Sequence, residues 1–215
     1  KAVYQSTDGG LYHGANAAPS NKYLRSFSVI MGGFTNMPCP LIICDYLLYY
    51  PSLDDSTVDP QILDNTITLP RYTDGKGVQM LAVSVAGRTG GQKFYVTYTN
   101  SDGVSGRVSQ TVTQNSSAVI GNIVTSATAV QASGNPFIGL AAGDSGVRSV
   151  ESITMLGADV GLFSLILVKP LGTTTIRDGN TITDKDFLIQ AGDMPIIKDN
   201  AFLGLLTTPQ GNLAS

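Results

Sequence analysis

Charge is what this chain lacks most. Of its 215 residues only 13% are Asp, Glu, Lys or Arg, about half of the ~25% usual in soluble domains. Thirteen basic residues against sixteen acidic ones give a net charge of −3, and no Lys/Arg cluster occurs, so the basic patch that a nucleic-acid partner requires is missing. Tryptophan is absent, histidine occurs once (His13) and glutamate once (Glu151). A His-rich metal site is thereby excluded, and a glycosidase would have to work with one Glu and without an indole to stack a sugar. Cys39 and Cys44 are too few and wrongly spaced for a zinc site. With Cys44 on a strand and Cys39 in the turn before it, two free, partly buried thiols are expected. No run of about 18 apolar residues exists, and the most apolar stretch, 162–168, is strand-length, so neither a membrane helix nor a secretory opening is read here and synthesis in a cytoplasm is expected.

What the chain does have is strand grammar. Lys93–Thr99 is a run of aromatic and β-branched residues, Asn100-Ser101-Asp102-Gly103 supplies a tight turn, and 104–112 alternates again. Phe94, Val96 and Tyr98 fall on one face, Tyr95, Thr97 and Thr99 on the other, which predicts a β-hairpin. Further strands are expected over 24–31, 41–50 (apolar on both faces apart from Asp45, and stopped by Pro51), 66–69, 78–86, 119–127, 137–140, 147–156 and 162–168. Eight or nine short strands separated by turn residues predict an all-β, antiparallel β-sandwich of jelly-roll type, with an up-and-down barrel as the alternative.

Outside these strands the pattern loosens. Residues 1–21 are rich in Gly, Ala, Asn and Ser and read as an N-terminal arm, 22–170 as the sandwich, and 171–215, after Lys169-Pro170, as a C-terminal arm. The arm's apolar groups, Phe187-Leu188-Ile189, Ile196-Ile197 and 202–206, are too small for a core of their own and too apolar for a solvated tail, so they are expected on the sandwich or across a subunit boundary.

Three stretches carry residues that catalysis, metal binding or modification could use. Gly143-Asp144-Ser145-Gly146 copies the tetrapeptide around a trypsin-like nucleophile, but the sole histidine lies in the N-terminal lead-in and Val147 stands where a further glycine belongs, so a turn is expected. Asp54, Asp55, Asp59 and Asp64 crowd one loop; their spacing lacks the alternation and central Gly of a calcium loop, and turn-forming or capping roles are expected. Asn115-Ser116-Ser117 fits a glycosylation sequon that has no meaning without secretion. No glycine pattern fits a nucleotide. No catalytic, cofactor-binding or metal residue is therefore assigned, no cofactor is expected, and the protein is not read as an enzyme.

Several stretches together resemble a family of tailed-bacteriophage virion proteins over roughly residues 10–171. They are Tyr12-His13-Gly14-Ala15-Asn16, Leu48-Tyr49-Tyr50-Pro51, 64–75 (Asp-Asn-Thr-Ile-Thr-Leu-Pro-Arg-Tyr-Thr-Asp-Gly), 95–103 with Gly106-Arg107-Val108, Arg148-Ser149-Val150-Glu151-Ser152, and Leu167-Val168-Lys169-Pro170-Leu171. The resemblance implies a particle-bound β-sandwich, a decoration or cement protein on the capsid exterior. Its partner would be the major capsid protein, its form a homotrimer seated at capsomer junctions with arms clamping neighbours, and nucleic acid and membrane would not be bound. A tail-fibre or receptor-binding module, a jelly-roll capsid protein and a carbohydrate-acting enzyme are the alternatives.

Overall fold

The computed structural model describes residues 2–32, 38–88, 91–115, 120–124 and 136–208. Their secondary structure is almost entirely antiparallel strand. In chain order the strands are β1 (Ala2–Val3), β2 (Lys22–Tyr23), β3 (Ser26–Val29), β4 (Cys39–Asp54), β5 (Gln61–Ile62), β6 (Gln79–Ser84), β7 (Lys93–Asn100), β8 (Arg107–Val108), β9 (Val112–Thr113), β10 (Ile123–Val124), β11 (Val147–Met155), β12 (Leu162–Ile176), β13 (Thr183–Asp186), β14 (Ile196–Ile197) and β15 (Phe202–Thr207). A 3₁₀ turn spans Ser6–Asp8, and one α-helical turn, α1 (Phe187–Gln190), follows β13. No helix among the described residues is long and apolar enough to cross a membrane.

The chain divides into two compact units, and both are discontinuous. The first comprises the residues up to Tyr4 with Leu47–Lys169, the second Gln5–Tyr46 with the chain from Pro170 onward. These units do not coincide with the expected division into 1–21, 22–170 and 171–215.

The first unit is a two-sheet sandwich. One sheet has the order β1-β4-β12-β6-β10, the other β5-β11-β7-β8, with β9 also paired to β7. Strand alternation aims Phe94, Val96 and Tyr98 inward, and all three are fully buried, whereas Tyr95, Thr97 and Thr99 on the opposite face are only partly covered. They meet Met80, Phe163, Leu165 and Leu167 of the first sheet in one core that also takes in Leu47, Leu48, Val150 and Ile153. The Phe94 and Phe163 rings, 5.0 Å apart, tie the two sheets together.

The second unit has its own small cores. The 39–46 half of β4 pairs with β15 from Leu41↔Thr207 to Tyr46↔Phe202, and Ile43, Ile197, Ala201 and Leu203 pack with Leu24 and Leu171. β3 pairs with β13, which brings Phe27, Val29 and Met31 onto Cys39, Leu41 and Ile176. Asp186 caps α1 by accepting a bond from the Ile189 amide at 3.1 Å; the turn buries Phe187 and leaves Leu188 and Ile189 exposed. Both cysteines are free and buried, and burial, with Asp45 alongside, pushes the Cys44 thiol up to about 12.

Several expected boundaries are corrected. Pro51 does not stop β4 and Pro170 does not stop β12. Pro51 lies beyond the β1 pairing, which reaches β4 only at Leu48 and Tyr49, and Pro170 lies beyond the β6 pairing, which follows β12 only as far as Val168. Ser52, with φ of 58°, turns the strand just past Pro51. No strand forms over 66–69 or 137–140; Gln61–Ile62 pairs with β11 instead. The expected 119–127 strand is reduced to Ile123–Val124 within the described residues, and its remainder lies largely outside them, as do Ser116 and Ser117 of the sequon.

Candidate functional site

The densest polar arrangement sits at one end of the sandwich unit and centres on Asp144. β7 ends there with Tyr98 and Asn100. Asn100 Oδ1 accepts the Asp102 and Val104 amides at 3.0 and 2.9 Å, and Gly103, at φ 83°, completes the turn that returns the chain to β8. From these elements three side chains converge on one carboxylate: Tyr98 Oη donates to Asp144 Oδ2 at 2.6 Å, Arg107 Nε to the same oxygen at 2.9 Å, and Asn100 Nδ2 to Oδ1 at 2.8 Å. Arg107 also donates to the Ala142 carbonyl at 3.2 Å, and the Ala141 amide donates back to Tyr98 Oη at 2.8 Å. The Arg107 bond, foremost, holds the Asp144 carboxyl down at about 2, while burial and then the bond to Asp144 push the Tyr98 hydroxyl up to about 12. Near neutral pH such a carboxylate is too weak a base, and such a phenol too weak an acid, to exchange protons with a substrate. The arrangement fastens a loop.

The protease-like tetrapeptide is spent on that loop. Gly143 takes φ 87°. The Ser145 hydroxyl pairs with Ser101 Oγ at 3.0 Å, and the Ser145 carbonyl accepts the Gly77 amide at 2.9 Å. A Cβ on Gly146 would strike the Gly75 carbonyl oxygen, so the fourth position admits only glycine because a second loop, 74–77, is packed against it. His13 belongs to the other unit, where its ring bonds to Ala201 and Lys22. Glu151 accepts Thr99 Oγ1 at 2.8 Å and the Gly106 amide at 3.0 Å.

The opposite end of the same unit holds a buried ion pair that sequence reasoning missed. Asp55, one residue beyond β4, and Arg88, four beyond β6, bring Oδ2 and Nε to 3.2 Å with both side chains fully buried. Gln114 Nε2 donates to the other Asp55 oxygen at 3.0 Å, and the Arg88 guanidinium lies 5.9 Å above the Phe163 ring. Burial pushes the Asp55 carboxyl up and the Arg88 guanidinium down against their mutual attraction, so dehydration is the larger effect at this pair. Around the same end Val58, Ile120, Leu156 and Val160 are each at least 50% exposed.

Asp54 and Asp64 of the acidic loop do what turn formers do. Asp54 Oδ1 accepts the Ser56 amide at 2.8 Å, and Asp64 accepts the Thr66 amide and hydroxyl at 2.8 and 2.9 Å. Asp55 turns inward, away from any such loop role. Among the described residues no group of three or more His, Cys, Asp and Glu side chains is placed to hold a metal ion.

Comparison with protein-family models, with curated proteins and with solved structures gives no match for this chain.

Proposed function

We propose that this protein is a structural component of a phage virion, a decoration protein that sits on the capsid exterior at capsomer junctions as a homotrimer and stabilises the head. The observation that carries the reading is the pairing of a charge-poor chain, 13% charged, with large apolar side chains left in solvent on both units. Ile120, Leu156 and Val160 of the sandwich unit are 56–69% exposed, and Ile30, Ile182 and Ile189 of the second unit 59–77%. A free monomer gains nothing from such a surface, whereas a subunit covered by neighbours on a particle buries it at about 25 cal/mol per Å². Many identical copies also turn weak single contacts into firm attachment. The strand order supports the jelly-roll form of the sandwich: β4-β12-β6-β10 lies on one side and β5-β11-β7-β8 on the other, so the chain changes sheet between β4 and β5, β5 and β6, β6 and β7, β9 and β10, β10 and β11, and β11 and β12, an alternation in keeping with two nested Greek keys.

The test is a copy count. Quantitative mass spectrometry of purified particles should give a number per head comparable to that of the major capsid protein, and the isolated protein should sediment as a trimer. A handful of copies per particle would overturn the decoration reading and favour a fibre or receptor-binding module.

A further inference from the structure

The ion pair at the second end of the sandwich unit leaves more hydrogen-bonding atoms unserved than it satisfies. Asp55 Oδ2 and Arg88 Nε approach to 3.2 Å with both side chains fully buried, but the contact is an ion pair without hydrogen-bond alignment. Among the described residues no acceptor serves Arg88 Nη1 or Nη2 either. Gln114 donates through Nε2 to Asp55 Oδ1 at 3.0 Å, yet its own Oε1 receives nothing. Ser84 adds another side chain. It stands opposite Phe163 in the β6–β12 ladder, the ring over which the Arg88 guanidinium lies, and its buried hydroxyl makes no bond. Buried polar groups are rarely left unpaired singly, and here side chains from the ends of several strands share that state at one place.

The kinds of atom left over decide what fits among them. Arg88 Nη1 and Nη2 only donate, Asp55 Oδ2 and Gln114 Oε1 only accept, and the Ser84 hydroxyl can do either. An anion would serve the guanidinium and leave both acceptors as they are. It would also meet two carboxylates, since Asp159 acts on Arg88 together with Asp55. A metal cation would serve the acceptors and be repelled by the guanidinium. Water donates and accepts without charge, so it alone serves the whole set.

The 157–161 turn closes over these groups. The Asp55 amide donates to the Gly161 carbonyl at 3.1 Å and the Asp159 amide to the Asp55 carbonyl at 2.9 Å. Gly161 lies so near that a Cβ there would come within 2.6 Å of Asp55 Oδ2 and 2.9 Å of Arg88 Cβ. We propose that the Asp55–Arg88 pair walls an internal water site, in which trapped water accepts from the Arg88 Nη groups, donates to Gln114 Oε1 and Asp55 Oδ2, and bonds the Ser84 hydroxyl. Such water restores part of the solvation that burial takes from the two charges, and it leaves only when the turn opens. The site is independent of where the protein resides.

Two measurements on the full chain test this. Water–protein NOE spectroscopy should give cross-peaks from slowly exchanging water to the Gln114 side-chain amide and to the Arg88 Nε–H. A high-resolution crystal structure should place solvent oxygen within hydrogen-bond reach of Arg88 Nη1 or Nη2, and crystals grown with bromide as the halide should show no anomalous peak there. Arg88→Met combined with Asp55→Asn, which removes the donors and the charge, should abolish the cross-peaks to Gln114. The wild-type measurements decide the matter by themselves if that double variant does not fold. Arg88 and Gln114 protons without water cross-peaks, Nη groups bonded only to protein acceptors, a bromide peak beside them, or cross-peaks undiminished in the double variant would overturn the proposal.

Discussion

Replacing Tyr98 by Phe isolates what the Asp144 hub contributes. The ring is fully buried in the sandwich core and remains so in the variant; only the hydroxyl goes, and with it the 2.6 Å bond to Asp144 and the 2.8 Å bond from the Ala141 amide. A bond to a charged acceptor contributes about 1.5–3 kcal/mol and a neutral one about 0.5–1.5 kcal/mol. Asp144 keeps Arg107 and Asn100, so the carboxylate is not orphaned, and the expected loss is about 2–3 kcal/mol. Urea denaturation followed by a probe of the sandwich unit should show the midpoint falling with an unchanged slope. Titration supplies a second, independent reading. The Tyr98 hydroxyl, raised to about 12 in the fold, should be among the last to ionise, and the stability it confers is present below the ordinary tyrosine range near ~10 and lost as pH rises towards 12. Asp144 has the opposite sign: held at about 2, it stabilises the fold above the ordinary Asp range and ceases to as pH falls through 2, by roughly 1 kcal/mol once solvent screening at this loop is allowed for. In Tyr98→Phe the alkaline limb of the stability curve should shrink while the acid limb persists through Arg107. A variant within about 0.5 kcal/mol of wild type would refute the hub as the fastening of the 141–146 loop.

Two further outcomes follow from the core and the ion pair. Leu165→Ala removes a fully buried side chain from the strand between β4 and β6 and should cost about 2–5 kcal/mol in thermal or urea unfolding; an unchanged melting temperature would show that the sandwich core is not where β12 places it. Arg88→Met leaves the buried Asp55 carboxylate uncompensated and should cost about 3–5 kcal/mol, while Arg88→Met combined with Asp55→Asn should recover most of that loss; equal destabilisation in the single and double variants would mean that packing, not charge, is what matters at that end.

Much of the sandwich was legible because its signal is local. Alternation over 93–99 assigns the buried and half-buried faces of β7 residue by residue, and the same period places Phe163, Leu165 and Leu167 inside. The return strand shows where that signal runs out. A continuous 104–112 partner was expected, but the ladder breaks between β8 and β9: Ser109 Oγ accepts the Val96 amide at 2.9 Å and passes a bond to the Gln110 carbonyl, so a side chain replaces a backbone acceptor without disturbing the hydrophobic pattern. Proline misled at 51 and 170 for a related reason. Whether its missing N–H matters depends on which neighbour strand reaches that far, a fact of pairing and not of the residue.

The candidate sites divide along the same line. The 143–146 tetrapeptide could be read as a turn from its residue types, and His13 as too poorly placed for catalysis, because both judgements need only composition and order. That Gly146 must be glycine, by contrast, depends on the Gly75 carbonyl, some seventy residues earlier, and nothing near 146 announces it. Asp55 reads alike with Asp54, Asp59 and Asp64 because a run of acids in a loop is undifferentiated in one dimension. Its carboxylate is distinguished only by Arg88 and Gln114, which arrive from the ends of two other strands. A charge-poor chain makes this distinction consequential: with so few ionisable groups, the ones withdrawn into the fold at Asp55, Arg88 and Asp144 are subtracted from an already sparse surface. What remains outside carries few charges and includes large apolar side chains such as Ile120, Val160 and Ile189, the physical basis on which a particle-bound role is proposed.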